Sequence, residues 1–349
     1  MKIKLGQALK YEQPTKYIVS SEKYNDEYLI PVLTAGKSFI LGYTNEEDGI
    51  YNNLPVIIFD DFTTETKYVD FPFKVKSSAM KMLRSSNNEY NLKYFYYLIN
   101  FLNFQPTSHK RHWISKFSEL EFDIPEREKQ DQIVEKLDKL NEIQSKKIIQ
   151  LKKYNELIKS QFIEMFGNVF TQKAIHTLGD YISDKTDKVK KDYLHENIKY
   201  VDISSIDNTQ NEITSYTTYK TQDRPSRAQQ IVEDGDIVIS TVRPNLNNVA
   251  MIKDDFENIV ASTGFCVLKK NMQVNEYFIF TLVKDSRFAD YLSKLTTGAS
   301  YPAVSNKSVL NFKIDMPLIE LQNKFAEIVK HIDKLKFTFK FKVLYFRDF

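Results

Sequence analysis

Cysteine occurs once among the 349 residues, at Cys266, so no disulfide can form within the chain. That usage fits a reducing compartment. Glycine is scarce, at 9, which leaves little material for glycine-rich phosphate loops. No G-x-x-x-x-G-K-[ST] segment for binding ATP occurs. Long hydrophobic runs are missing too. The most apolar stretch, YFYYLINFLNF at 94–104, is too short and too interrupted to span a bilayer. The opening MKIKLGQALKYEQ lacks the apolar segment of a secretory signal. These absences lead us to expect a cytoplasmic protein. An excess of one charge is also absent. A net charge of +3 neither demands nor excludes nucleic acid, because a basic face can hide inside a near-neutral total.

Apolar residues make up 42% and charged residues 27%, an ordinary balance for a folded domain. The length favours two domains. Phenylalanine and tyrosine are abundant, at 25 and 21, which suits cores and interfaces alike. The most informative feature is a repeat. DIPEREKQDQIVEKLDKL runs from Asp123 to Leu140, and DMPLIELQNKFAEIVKHIDKL from Asp315 to Leu335. Each has a proline, a glutamine five positions later (Gln130, Gln322), and an apolar rhythm reaching Asp-Lys-Leu.

Residues 126–166 contain neither glycine nor proline. Ile133, Leu137, Leu140, Ile148, Leu151, Ile158 and Phe162, with Gln144 and Tyr154 filling gaps, keep steps of four and three, the seam of a long helix. Forty helical residues span about 60 Å at about 1.5 Å each, and Gly167 is placed to cap the end. From 318 a second helix repeats the rhythm through Phe325, Val329 and Ile332. Its end, KLKFTFKFKVLYFRDF, also alternates with period two, so strand and helix stay open there. Between the helices the order of elements recurs. EYLIPVLTAG (27–36) and LPVIIFDDF (54–62) predict buried strands, and LKYFYYLINFLN (92–103) a helix. IKYVDISSID (198–207), GDIVISTVRPN (235–245) and VNEYFIFTLV (274–283) answer them in turn. The chain therefore reads as an α+β protein made of a duplicated α/β module, each followed by a long helix. The helices bury their seams against each other, antiparallel, giving a dumbbell with pseudo-twofold symmetry.

This order of segments, together with STGFCVLK and TTGASYPAVSNKSVLNFKIDMP, resembles the specificity subunit of type I DNA restriction–modification systems over essentially the whole chain. The resemblance implies two target recognition domains, at 1–123 and 168–315, each reading half of a split double-stranded DNA site. It implies spacer helices at 124–167 and 316–349 that form an antiparallel coiled coil, set the gap between half-sites and dock two methylase subunits. Restriction subunits join the same core. S-adenosylmethionine and ATP belong to those partners. No cofactor, metal or catalytic residue is expected on this chain, and no Asn-Pro-Pro-Tyr or Asp-Pro-Pro-Tyr motif for methylating adenine occurs. The second spacer departs from the family in being shorter and crowded with phenylalanine.

Candidate DNA contacts follow from residue chemistry. TVRPNLNNVA (241–250) offers Arg243, Asn245, Asn247 and Asn248 on a turn. Arginine pairs with guanine and asparagine with adenine through two hydrogen bonds each. A plain polar turn is the competing reading. Lys220, Arg224 and Arg227, in a proline-punctuated loop, suit phosphates. Tyr301 is either on the DNA side or a packing anchor. In the first half, Thr34 and Lys37 flank a turn, and Thr63, Thr64 and Lys67 lie in FDDFTTETKY. Lys110 and Arg111 occupy the place of TGASYPAVS. Asp61, Glu65 and Lys67 loosely resemble the carboxylate–carboxylate–lysine set of a metal-dependent nuclease. A restriction endonuclease in its own right is therefore the alternative, and a coiled-coil scaffold without nucleic acid a third. His109 and His112 have H-x-x-H spacing but no further ligand nearby in sequence.

Overall fold

The computed structural model describes residues 2–34, 36, 38–102, 104, 111–167, 169–170, 174–190, 193–253, 258–298 and 302–344, with side chains through Lys336. Lys37, His109, Lys110 and Tyr301 lie outside the described residues. The chain divides into two compact units, Met1–Ser145 and Lys146–Phe349.

The first unit contains β1 (Lys2–Lys4), α1 (Leu5–Ala8), β2 (Leu9–Glu12), β3 (Ile30–Leu33), β4 (Ile40–Thr44), β5 (Val56–Asp60), β6 (Thr66–Val69), β7 (Lys74–Val75), β8 (Met80–Ser85), α2 (Leu92–Phe101), α3 (His112–Ser115) and β9 (Glu121–Asp123). A four-stranded sheet runs β2-β8-β5-β6 and a three-stranded one β4-β3-β7. Every residue of β5 is buried, because both faces of its sheet are covered. Ile57 and Phe59 face a core with Phe95, Trp113 and Phe117. Val56 and Ile58 face another with Leu33, Tyr51 and Phe73. Two covered faces need an uninterrupted apolar run rather than an alternation.

After the long helix α4 (Arg127–Phe166), the second unit adds β10 (Asn197–Val201), β11 (Ile206–Asp207), β12 (Glu212–Ile213), β13 (Thr217–Lys220), β14 (Ala228–Ile231), β15 (Ile237–Ser240), β16 (Val249–Met251), β17 (Ile259–Ser262), β18 (Phe265–Leu268), α5 (Glu276–Val283), α6 (Ser286–Lys294), α7 (Asn306–Leu310) and α8 (Ile319–Leu344). Its pairings echo the first unit. β3 pairs antiparallel with β4 and parallel with β7, and β10 pairs antiparallel with β13 and parallel with β17. β5 lies between β6 and β8, and β15 between β16 and β18. Ile237 and Ile239 enter one core with Phe278 and Phe325, while Val238 enters another with Val201 and Val267.

The recurring glutamine has a structural cause. Gln130 is 1% exposed and Gln322 fully buried. Gln130 Oε1 accepts from the Asn91 amide at 2.8 Å, and its Nε2 donates to the Pro125 and Glu89 carbonyls. Gln322 Oε1 accepts from the Asn275 amide at 2.9 Å, and its Nε2 donates to the Pro317 carbonyl at 2.8 Å. Asn91 and Asn275 are the N-caps of α2 and α5. In each unit the glutamine thus ties the start of a long helix to the start of an earlier one, α2 or α5. A second repeat lies at Gly6 and Gly179. A Cβ at Gly6 would come within 3.0 Å of Ser118, and one at Gly179 within 3.1 Å of Leu310.

The seam is only partly buried. Ile158 and Phe162 lie in the core with Phe325, Val329 and Ile332. Phe162 and Phe166 meet Phe325, each with ring centroids 5.4 Å apart, while Leu151 shares a cavity wall with Asp333 and Lys336. In this unit α8 therefore runs antiparallel to the end of α4. Contrary to expectation, Leu140 is 40% and Ile148 62% exposed. Ile133, Leu137 and Leu151 are half-buried, and Val134 is the buried residue of the first turns. α8 has 26 residues and α4 has 40, so part of the α4 seam has no α8 residue opposite it. The period-two end of α8 is helical to Leu344, since no glycine or proline stops the helix already begun. Gly167 takes positive φ and its amide donates to Ile163 at 2.8 Å, as a C-cap does.

Candidate nucleic-acid interface

The turn after β15 is built by main-chain hydrogen bonds. The Thr241 amide donates to Gly264 at 3.0 Å, the Val304 amide to Thr241 at 2.9 Å, and the Arg243 amide to Pro302 at 2.8 Å. The Thr263 amide donates to Arg227 at 2.9 Å. Four segments, near 227, 241–247, 263–264 and 302–304, are therefore stitched together. Arg243 and Asn247 both take left-handed backbone, with φ of 49° and 52°, which a non-glycine residue adopts at a cost. The result leaves Arg243 and Asn245 exposed. An arginine fork and an amide on one rigid turn suit the donor and acceptor pattern of base edges.

Two of the expected contacts point inward instead. Asn248 is buried, and its carbonyl accepts from Ser240. Asn247 is half-buried, and its Nδ2 donates to the Lys284 carbonyl at 2.7 Å. Asparagine serves there because it tolerates left-handed backbone and supplies a donor. Asn208 and Asn211, which sequence reasoning missed, brace the turn by donating to the Leu246 and Asn247 carbonyls at 2.9 and 3.1 Å. Their one signal is the turn-like segment IDNTQN.

The loop 221–227 is divided in the same way. Arg224 does not present its guanidinium for phosphate. Nε, Nη1 and Nη2 donate to the carbonyls of Ala228, Thr221 and Val189 at 3.2, 2.6 and 3.0 Å. Arg227 and Lys220 are exposed, but the register separates them. Lys220 pairs with Asn197 at the start of β10, whereas Arg227 precedes Ala228, which pairs with Ser262 at the far end of β17. Tyr216 lies at the Arg227 end and is 42% exposed, with the Lys199 ammonium 5.2 Å from its ring centroid. It was not foreseen.

In the first unit the turn after β5 uses the equivalent stitch. The His112 amide donates to the Asp61 carbonyl at 3.0 Å, as Val304 does to Thr241. Asp60 Oδ1 accepts from the Phe62 and Thr63 amides, and Thr64 takes φ of 65°. Thr63 and Arg111 are exposed. Thr64 is half-buried and its hydroxyl faces the Thr63 carbonyl at 2.6 Å. Thr34 and Lys67, also half-buried, meet at Phe39. The Thr34 amide donates to its carbonyl, and the Lys67 ammonium lies 5.9 Å from its ring centroid.

The loose resemblance to a nuclease set dissolves here. Asp61 is buried, its Oδ1 accepts from the Trp113 amide at 2.8 Å, and Oδ2 is 3.3 Å from Lys81 Nζ. It is a structural ion pair, closed to metal and substrate. His112 is buried with its ring against Phe104. Burial, with the charge of Asp184 adding to it, pushes the Cys266 thiol up to about 12. That thiol is neither a nucleophile nor a ready metal ligand at neutral pH. Among the described residues no helix is long and apolar enough to cross a membrane.

Two units each end a buried strand in a main-chain-stitched polar turn, and each clasps a long helix by a buried glutamine. The chain belongs to the type I restriction modification DNA specificity family, whose model matches residues 1–153 and again residues 169–342. It is 36% identical to the type I restriction enzyme EcoR124I/EcoR124II specificity subunit of Escherichia coli, over 95% of this chain and 86% of that one. It is 28% identical to the HindI specificity subunit of Haemophilus influenzae over 32% of this chain and 25% of that one. The crystal structure of the type I restriction–modification S subunit from M. genitalium shares the fold. Its TM-score is 0.61 at 18% identity, covering 98% of this chain and 91% of that one.

Proposed function

We propose that this chain reads a bipartite DNA site for a type I restriction–modification complex. Residues 1–123 act as one target recognition domain and residues 168–315 as the other. The helices at 124–167 and 316–349 form an antiparallel coiled coil that sets the gap and docks two methylase subunits, with restriction subunits joining the same core. The chain carries recognition and no catalysis; S-adenosylmethionine and ATP bind its partners, in the cytoplasm. The observation that carries this reading is the doubled tip: the turns after β5 and β15 are stitched alike by Asp61–His112 and Thr241–Val304 but offer different side chains. Within the tips, Arg243, Asn245, Arg227, Thr63, Lys67, Arg111 and Thr34 remain the proposed contacts, with Lys220 on a separate flank. Lys37, Lys110 and Tyr301 keep their sequence-based assignment.

The test is co-expression with a cognate methylase, followed by methylome sequencing. Exchange of residues 1–123 for another recognition domain is expected to alter one half-site only. Methyl transfer by the isolated chain, or a change in both half-sites together, overturns the reading.

A further inference from the structure

The second unit contains a cavity of about 290 Å³ that recognition of DNA does not use. Its volume lies near the lower end of the roughly 300–1,000 Å³ typical of small-molecule sites. Leu151 and Ile158 of α4, Met251 of β16, Phe280 of α5 and Val329 of α8 form apolar walls. Charge is confined to a few groups. Lys253, Lys284 and Lys336 face the cavity, against Glu212 and Asp333, leaving one positive charge over. Asp333 is already paired with Lys336 at 3.0 Å.

Among the described residues Lys253 and Lys284 both lack an ion pair, and Lys284 is the less exposed of the two. It is partly buried at the end of α5. Its ammonium stands 5.0 Å from the Phe280 ring centroid and, among the described residues, makes no ion pair. A cation withdrawn from water without a direct ion-pair partner is costly, and the cavity it faces has apolar walls at Leu151, Ile158, Phe280 and Val329.

We propose that this cavity binds a small monocarboxylate with an apolar body, its carboxylate on Lys284 and its hydrocarbon against Leu151, Ile158, Phe280 and Val329. The assignment rests on the cavity and stands independently of the DNA-reading role. A monoanion balances the one excess charge. The apolar walls at Leu151, Ile158, Phe280 and Val329 match a hydrocarbon body, which inorganic phosphate lacks.

The site is sensitive to pH. Burial pushes the Lys284 ammonium down to about 8, and the charge of Lys336 adds to this. Asp333 and Glu212 act in the opposite direction and Lys253 in the same one. Tyr277 of α5 also faces the cavity, and α4 adds only the uncharged Asn155 to the polar wall. A carboxylate binds the protonated lysine, so affinity falls as pH rises through 8. At pH 9.5 the competent fraction makes binding roughly thirtyfold weaker than at pH 7.

The experiment is calorimetric titration of the full chain with octanoate, 1-octanol and inorganic phosphate at pH 7 and 9.5, on wild type, Lys284→Met and Lys284→Arg. The proposal expects one octanoate per chain at pH 7 and at least tenfold weaker binding by Lys284→Met. It also expects Lys284→Arg to keep binding at pH 9.5, where wild type loses it. Octanol binding is expected to differ little between wild type and Lys284→Met. Circular dichroism melts identify any variant that fails to fold, and the wild-type pH profile then decides. No octanoate binding, equal binding by Lys284→Met, or phosphate binding as tight as octanoate overturns the assignment.

Discussion

Replacing Gln322 with leucine isolates the glutamine clasp from packing. The two side chains have similar volume, so the change opens little cavity. It removes an acceptor for the Asn275 amide and a donor to the Pro317 carbonyl, bonds of 2.9 and 2.8 Å, at a side chain with no exposure. Each backbone group left unpaired away from water costs about 1–3 kcal/mol. Leucine recovers roughly 1 kcal/mol through its apolar surface. The net expectation is a loss of about 1–5 kcal/mol, borne where α5 and α8 begin. Because the chain has two compact units, a single melting curve can blend two transitions. Hydrogen exchange resolved to peptides is the better assay: amides at 275–279 and 318–325 should lose protection well before the first unit does. Gln322→Glu adds a sign. A buried carboxylate facing the Pro317 carbonyl has its folded pKa raised, so that variant gains stability as pH falls and loses it as pH rises through the folded pKa. If Gln322→Leu stays within about 0.5 kcal/mol of wild type, the scatter of ordinary surface changes, the clasp does not hold the helix start.

Arg243→Ala is expected to weaken specific DNA binding by about 1–3 kcal/mol if Arg243 reads guanine; a uniform loss across sequences with a salt slope changed by about one unit marks a phosphate contact instead. Arg224→Ala, by contrast, should lower stability through its three carbonyl bonds and leave the salt slope alone, as filter binding at several salt concentrations can check. Asn247→Gly keeps the left-handed backbone and loses one bond to Lys284, whereas Asn247→Ala also strains the turn by about 1 kcal/mol, so the alanine variant should melt lower. Cys266, whose thiol burial raises to about 12, should resist a disulfide reagent at pH 8 in the native chain and react fully in guanidinium.

Some of this was legible in the sequence. The runs at β5 and β15 are continuous because both faces of each sheet are covered, and continuity survives in one dimension. α4 announced itself by having no glycine or proline across its length. Proline followed by glutamine five residues later was visible as a repeat, but its meaning was not. The bonds reach Asn91 and Asn275, 39 and 47 residues back, and no local pattern encodes such a partner. The same limit explains the misplaced contacts. Asn248, Arg224 and Asp61 look polar and available. Their partners lie on other segments, as with Lys81 for Asp61 and Val189 for Arg224. Lys220 and Arg227 are seven residues apart in sequence, and only the pairing of β13 with β10 sets them at opposite ends of the sheet. At the C-terminal end, period two competed with period 3.6 over too few residues to decide.

The division between inward and outward groups bears on how such a protein changes what it reads. At both tips main-chain bonds join the turn to other segments: Asp61 to His112 in one unit, Thr241 to Gly264 and Val304 in the other. Side chains on another segment help, as Asn208 and Asn211 do by donating to the Leu246 and Asn247 carbonyls. Substitution at the exposed Asn245 therefore alters the chemistry the tip presents while the main-chain bonds stay in place. A surface change outside such bonds costs little, usually within about 0.5 kcal/mol. Changing the bracing asparagines or Arg224 instead unmakes bonds to carbonyls the fold depends on. Turn side chains can then differ between the two units while the strands, caps and glutamine clasps stay alike, which is the pattern the two halves of this chain display.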